Sequence, residues 1–417
     1  MSHLTAPPPH AVPAGQAAPQ DRGAGRRANL GAVLRLLRDA GPHSRAQLAT
    51  GTGLPKPTVT TLVAELVALG LVREGPTRRE GAVGRPGTLI HLDGSGLCGI
   101  GMEISSGYVQ LLALALDGET LHEHRLGLSV ADSDPGTVLD SAAQLVRACL
   151  AELDRQGVRP AGLTLAVPGV VDRASGTARY APTIGWRGVP VADELAARLG
   201  SELPPLAVDN DAKLAALAEY ALVQGDGLYD MVCLTGERGI GAGIISDGRL
   251  LRGATGFAGE AGHMPLDPGR RPCVCGRRGC WETMVGLDAI LRLAADADDP
   301  LHDTAIELPE RLAELGRRAR SGDERTGRAM AQVADDLGLG VALLADVLNP
   351  RVVVLGGYFT HIGDVMLDRV REVVHERVIA PDAGGCEVRL STLGFTAAAR
   401  GGAYAALEGV YQDPGGV

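Results

Sequence analysis

Apolar positions along this chain switch between a helical and a strand-like period, and the switches outline its elements. Leu30, Val33, Leu34 and Leu37 recur at helical spacing until Gly41-Pro42 ends the run. Ser44 then stands as an N-cap for a short helix beginning at Arg45 and stopping near Gly51 or Gly53. A turn at Gly53-Leu54-Pro55 leads into a third helix, from about Lys56 to Leu69, whose buried stripe is Val59, Leu62, Val63, Leu66 and Leu69. Pro57 is tolerated there because a first-turn N–H has no intrahelical partner to lose. Strand-like residues at Leu71-Val72 and Thr88–Leu92 flank a basic, glycine-rich loop, which predicts a wing.

Beyond residue 94 the pattern becomes that of an α/β protein. Gly99–Ile104 and Val109–Asp117 read as antiparallel strands joined at Ser105-Ser106-Gly107. A helix near 137–153 is followed by a strand at Ala161–Val167, and a strand ending at Asp209 opens a helix towards Tyr220. Further helices are predicted at Leu287–Ala294 and Thr326–Leu348, the latter with an apolar stripe of Val333, Leu337, Val341, Leu344 and Leu348. This order fits two α/β lobes with a ligand cleft between them.

Composition refines the division. A chain of 417 residues exceeds one core, and 45% apolar with 22% charged residues is ordinary for a soluble globular protein. No run approaches the roughly 18 apolar residues of a membrane span, so no membrane partner is expected. Residues 1–28, rich in Pro, Ala and Gly without a compact apolar core, read as a disordered tail rather than a targeting signal. Residues 1–93 hold 11 Lys+Arg against 6 Asp+Glu, and 94–417 hold 29 against 44. A basic segment of +5 on a body of −15 suggests that nucleic acid meets only the former. The organisation expected is therefore a tail (1–28), a small helical and winged domain (29–93) and a larger body (94–417) with its lobe boundary near 210.

Three clusters carry candidate chemistry. His263, Cys273, Cys275 and Cys280 offer one imidazole and three thiolates, a usual structural zinc set, with Gly276 and Gly279 permitting the tight turns. A disulfide is disfavoured without a secretory signal, and free cysteines on a surface loop are the bland alternative. Lys56, Thr58, Thr60 and Thr61 head the third helix, where small hydroxyls and a cation suit base edges and phosphates in the major groove. Arg78, Arg79 and Arg85 in the wing suit phosphates or the minor groove. Helical spacing alone would equally describe an adaptor that binds no DNA. Asn210 and Asp211 lie beyond a strand's carboxyl end, where α/β folds bind ligands, although Asp211 also suits a helix N-terminus.

Glu260-x-Gly262-His263 followed by Cys273-x-Cys275-Gly-x-x-Gly-Cys280-x-Glu282 resembles the signature of the ROK family (repressors, open reading frames, sugar kinases). The resemblance runs from about Leu97 to Leu407. Ser44–Ala49, Thr58-Val59-Thr60, Gly70-Leu71-Val72 and Gly84-Arg85-Pro86 are similar to the winged helix-turn-helix of that family's repressors, among them the xylose- and N-acetylglucosamine-responsive ones. It implies an actin-like ATPase fold whose closing helix returns to the first lobe. It also implies a structural zinc on His263 and the three cysteines, and a sugar held by Asn210, Asp211, Glu260, His263 and Glu282. Thr183 stands where the family usually has Asn, and Asp211 matches the general base of the family's kinases.

The phosphate loops depart from the kinase pattern. Glu103-Ile-Ser105-Ser106-Gly107-Tyr108 replaces Asp-x-Gly-Gly-Thr-Lys, and Glu237-Arg238-Gly-Ile-Gly-Ala-Gly replaces Gly-Thr-Gly-Ile-Gly-Gly-Gly. The expectation is a sugar-responsive repressor that binds an inverted-repeat operator as a homodimer or homotetramer, works in the cytoplasm on the nucleoid, and performs no catalysis. An ATP-dependent hexose kinase carrying a DNA-binding head is the alternative.

Overall fold

The computed structural model describes residues 22–78, 87–381 and 386–416. The chain opens with three helices, α1 (Arg22–Ala40), α2 (Arg45–Thr52) and α3 (Lys56–Ala68). Ser44 closes a capping box on α2: its hydroxyl accepts from Gln47 N, and the Gln47 side chain accepts from Ser44 N at 2.8 Å. Strands β1 (His43–Ser44), β2 (Val72–Arg78) and β3 (Gly87–Leu92) form an antiparallel sheet in the order β1-β3-β2, the arrangement of a winged helix. One expectation needs correcting. Residues 22–28, read as the end of a tail, are the first turns of α1. Tertiary pairing overrides composition there, since Arg26 Nη2 donates to Glu65 Oε2 of α3 at 2.6 Å. Residues 1–21, and Arg79 and Arg85 of the wing, lie outside the described residues.

The body contains two sheets of one design. In the first lobe, β4 (Leu97–Ile104), β5 (Tyr108–Ala115) and β6 (Thr120–Gly127) make an antiparallel meander. To it β7 (Arg159–Val167) and β11 (Leu206–Asn210) add in parallel, giving the order β11-β7-β4-β5-β6. Helices α4 (Pro135–Gln156) and α5 (Val191–Leu199) and a small sheet of β8 (Val170–Asp172), β9 (Thr177–Ala181) and β10 (Trp186–Val189) complete this lobe. Helix α6 (Asp211–Val223) leads to the second lobe. There β12 (Met231–Gly236), β13 (Ile240–Ser246) and β14 (Arg249–Leu250) repeat the meander, and β15 (Val352–Gly357) and β16 (Glu387–Leu390) repeat the parallel addition.

Helices α7 (Glu282–Val285), α8 (Leu287–Ala294), α9 (Leu308–Arg320), α10 (Glu324–Leu348), α11 (Phe359–Ile362) and α12 (Leu367–Arg377) pack around the second sheet. On α10, Val333, Leu337, Val341 and Leu344 are buried in that lobe's core, and Leu348 packs against its edge.

The last helix, α13 (Ala397–Gln412), ties all three parts together. It lies against the first sheet so closely that a Cβ on Gly101 would fall 1.7 Å from the Ala399 carbonyl oxygen, and one on Gly99 would fall 2.2 Å from that of Ala403. Only glycine fits such an approach. At its far end Leu407, Val410 and Tyr411 join the core of the head, with Leu34, Leu37 and Ile90. The head is therefore docked on the body through apolar contacts.

Candidate functional site

The cleft between the lobes gathers Thr183, Asn210, Asp211, Glu260, His263 and Glu282 on one wall system, around a cavity of about 80 Å³. That is smaller than the roughly 300–1,000 Å³ of small-molecule pockets, so the lobes stand close together here. Strand β11 and helix α6 place the first pair. Asn210 is the N-cap of α6: its Oδ1 accepts from Lys213 N at 3.0 Å, while Nδ2 donates to the Gly169 carbonyl at 2.9 Å and to Asp211 Oδ1 at 2.8 Å. Its amide is thus largely engaged in holding the Asp211 carboxylate. Burial and then the charge of Glu237 push the Asp211 carboxyl up to about 7, against the opposing hydrogen bond from Ala212 N. An acid poised near neutrality can accept a hydroxyl proton or lend a strong hydrogen bond. Glu260 makes no side-chain hydrogen bond among the described residues, so its oxygens are available to a ligand.

His263 links the cleft to a second cluster. Its Nδ1 lies 3.7 Å from Cys273 Sγ, Cys275 and Cys280 sulfurs are 3.7 Å apart, and all four donor atoms lie within 4.8 Å of one another. Zinc–sulfur bonds of about 2.3 Å give a tetrahedron with edges of about 3.8 Å, so the one imidazole and three thiols of this donor set suit a four-coordinate metal. Glu282 stands between the two sites: Oε1 accepts from the Cys273 thiol at 3.2 Å, and Oε2 accepts from Ile240 N at 3.1 Å.

Asp267, which the sequence reading passed over, organises this loop from a buried position. It accepts from Gly269 N, Arg271 N, the Arg271 guanidinium and Thr283 Oγ1, all at 2.9–3.0 Å. The Arg271 side chain and these backbone donors hold its carboxyl well below the usual carboxylate range. The signal was the Asp267-Pro-Gly269 turn, which has no meaning until Arg271 and Thr283 are seen to converge on it.

The other end of the cleft is closed by its own side chains. Glu237, from the β12–β13 turn of the second lobe, accepts hydrogen bonds from Ser105 Oγ and from Tyr108 Oη (2.7 Å) in the first lobe. Arg125 covers the Tyr108 ring at 3.7 Å. Glu103, 1% exposed, lies against Glu237, and its Oε2 has no hydrogen-bond partner. Burial, then Glu237, hold the Glu103 carboxyl well above the usual range. Arg238, the neighbouring cation, is exposed and forms no ion pair among the described residues; the Ser105 and Tyr108 hydroxyls meet the Glu237 carboxylate instead.

In the head, Lys56, Thr60 and Thr61 are exposed at the start of α3 and Thr58 is half-buried. Thr60 and Thr61 hydroxyls donate to the Lys56 and Pro57 carbonyls at 3.0 and 3.2 Å, leaving their oxygens as outward acceptors. The N-terminus of α3 has no side-chain cap.

A family model described as the ROK family matches residues 99–408, and one for the IclR helix-turn-helix domain matches residues 28–76. The chain belongs to the ROK family. A xylose repressor of Caldicellulosiruptor bescii is 27% identical over 87% of this chain and 90% of its own length. A glucokinase of Halalkalibacterium halodurans is 33% identical but covers 58% of this chain and 75% of its own. Among solved structures, a ROK transcriptional regulator homologous to the Escherichia coli Mlc protein superposes with TM-score 0.74 over 93% of this chain and 97% of its own, at 24% identity. A ROK glucokinase from Streptomyces griseus, in complex with glucose and AMPPNP, superposes with TM-score 0.62 over 75% and 99%, at 28% identity.

In this ROK chain the six residues assigned to a sugar converge on one cleft, and the four assigned to a metal converge on one point beside it. Arg78 ends β2, at the edge of the wing. No described helix is long and apolar enough to cross a membrane.

Proposed function

We propose that this chain is a sugar-responsive transcriptional repressor that binds a monosaccharide in the interlobe cleft without phosphorylating it. The observation that carries this reading is Glu237. Where a nucleotide's phosphates would need a concave array of backbone N–H groups, a carboxylate hydrogen-bonded to Ser105 and Tyr108 fills the space and repels anions. Phosphoryl transfer depends on that cradle, and Asp211 alone does not replace it. Relatives aligned through both head and body are named as repressors, which supports the same reading.

On this proposal the sugar's hydroxyls donate to Asp211 and Glu260 and meet His263 and Glu282, with Asn210 positioning Asp211 and Thr183 shaping the rim. A zinc ion on His263, Cys273, Cys275 and Cys280 holds the loop that carries Glu260 and Glu282. The head reads an inverted-repeat operator through Lys56, Thr58, Thr60 and Thr61, with Arg78, Arg79 and Arg85 on the wing, in a homodimer or homotetramer. The sugar acts by preferring one lobe arrangement, since equal affinity for both would shift nothing. Because α13 touches both the first sheet and the head core, lobe movement reaches the head without a flexible linker.

A kinase reading is favoured by Asp211 and by the glucokinase relatives. A thermal-shift panel of monosaccharides, repeated with operator DNA and with ATP and magnesium, separates the two. Sugar-specific stabilisation that changes with DNA and not with ATP supports the repressor. ADP release with any sugar at about 1 s⁻¹ or faster overturns it.

A further inference from the structure

A second, larger cavity lies at the junction of head and body, away from the interlobe cleft. Six arginines line it, Arg35, Arg38, Arg73, Arg173, Arg249 and Arg252, against the carboxylates of Asp117 and Glu408. Four of the six are engaged. Arg35 donates to the Tyr411 carbonyl at 2.7 Å, and Arg38 pairs with Asp39 at 2.6 Å and Glu408 at 3.5 Å. Arg252 pairs with Asp209 at 2.6 Å, and Arg173 lies 3.6 Å from the same carboxylate. Arg73 and Arg249 form no ion pair or side-chain hydrogen bond among the described residues. One stands on β2 of the head and the other on β14 of the body.

We infer that this junction is a binding site for a small phosphate-bearing anion, held between Arg73 of the head and Arg249 of the body. Guanidinium groups present planar, paired donors that match phosphate oxygens, and Arg73 and Arg249 keep theirs unspent among the described residues. The cavity wall also contains the His91 ring, whose Nε2 is buried without a hydrogen-bond partner among the described residues. An anion bridging Arg73 and Arg249 would fasten the head to the body beside their apolar contact.

The same geometry couples this site to the cleft. Asp209, 4% exposed, accepts from Arg252 on the junction side and from the backbone N of Asn210 at 2.9 Å on the cleft side. An anion that shares Arg252 weakens the hold on Asp209, next to the residue that positions Asp211. Ligand binding in the two sites is then linked, and the linkage is reciprocal.

The test is calorimetric titration of the full chain with inorganic pyrophosphate, with sodium chloride of matched ionic strength as the control. The expected result is saturable binding that weakens at least about tenfold in Arg73→Ala/Arg249→Ala. Neither arginine has a partner to lose among the described residues, so the double variant should melt where the parent does. Arg252→Lys should keep pyrophosphate binding and alter its effect on sugar affinity. Heat that chloride reproduces, or binding that survives the double substitution, would overturn the assignment. So would a double variant that loses DNA affinity on every sequence while pyrophosphate never saturates, because the arginines would then belong to the DNA backbone.

Discussion

The two ends of the interlobe cleft spend their polar groups in opposite ways. At one end Asp211 and Glu260 face the cleft, with Asn210 and the metal cluster behind them as supports. At the other end Ser105 and Tyr108 donate to Glu237 across the lobes, with Glu103 buried against it. A pocket built for a ligand leaves hydrogen-bonding capacity unspent, because a buried donor or acceptor is costly only until something occupies it. A pocket that has closed on itself offers a ligand nothing it does not already have. The same fold thus presents one receptive end and one sealed end, and on the proposed reading the sealed end is where phosphates would have to sit.

The largest effect on this contrast should come from removing the support of the receptive end. Cys273→Ala or Cys275→Ala is expected to abolish bound metal, eliminate sugar binding and lower the melting temperature on the order of 10 °C. Metal analysis beside a thermal melt checks it, and a variant keeping both metal and sugar response contradicts it. Next in size, Asp211→Ala should weaken sugar affinity about 10- to 100-fold, the loss of one hydrogen bond to a charged group at roughly 1.5–3 kcal/mol.

Asp211 also predicts a pH dependence. With its carboxyl at about 7, the folded chain holds a proton that the unfolded chain releases above its ordinary range. Stability from this group, and from Glu103 with the same sign, is therefore present in acid and lost as pH rises through that window. A sugar donating to the ionised carboxylate reverses the preference. Its affinity should climb by up to about tenfold per pH unit towards pH 7 and then level. Titration in buffers of different ionisation enthalpy reads the released proton, and Asp211→Asn should flatten the profile.

Smaller effects test the sealed end and the head. Glu237→Gln keeps hydrogen-bonding capacity towards Ser105 and Tyr108 while removing a charge beside Glu103. It should raise the melting temperature by about 2–4 °C at pH 8 and leave it nearly unchanged at pH 5. Lys56→Ala should weaken operator binding a few-fold on all sequences and reduce the salt slope by about 1, as a lost phosphate contact does.

Much of this was readable in the chain. The stripe Val59, Leu62, Val63 and Leu66 and the Ser44 cap give α2 and α3 nearly to the residue, because local periodicity and capping are short-range. The spacing of His263, Cys273, Cys275 and Cys280 announced a metal-sized cluster because glycines make the turns local too. What was hidden depends on distant partners. Arg22–Ala28 looks like a tail until Glu65 receives Arg26. Asp267 looks like a turn residue until Arg271 and Thr283 close on it. Glu237 read as a misplaced charge, and its partners lie more than a hundred residues away, on strands of the other lobe. Pairings across lobes leave no period in the sequence.

One titration bears most directly on the claim that the cleft receives a sugar and refuses phosphate. The full chain, held with ATP and magnesium in a calorimeter, is titrated with a panel of pentoses and hexoses. The account predicts saturable binding of one sugar class, with the signal returning to baseline after every injection. A continuing heat of turnover, at about 1 s⁻¹ or faster, would contradict it.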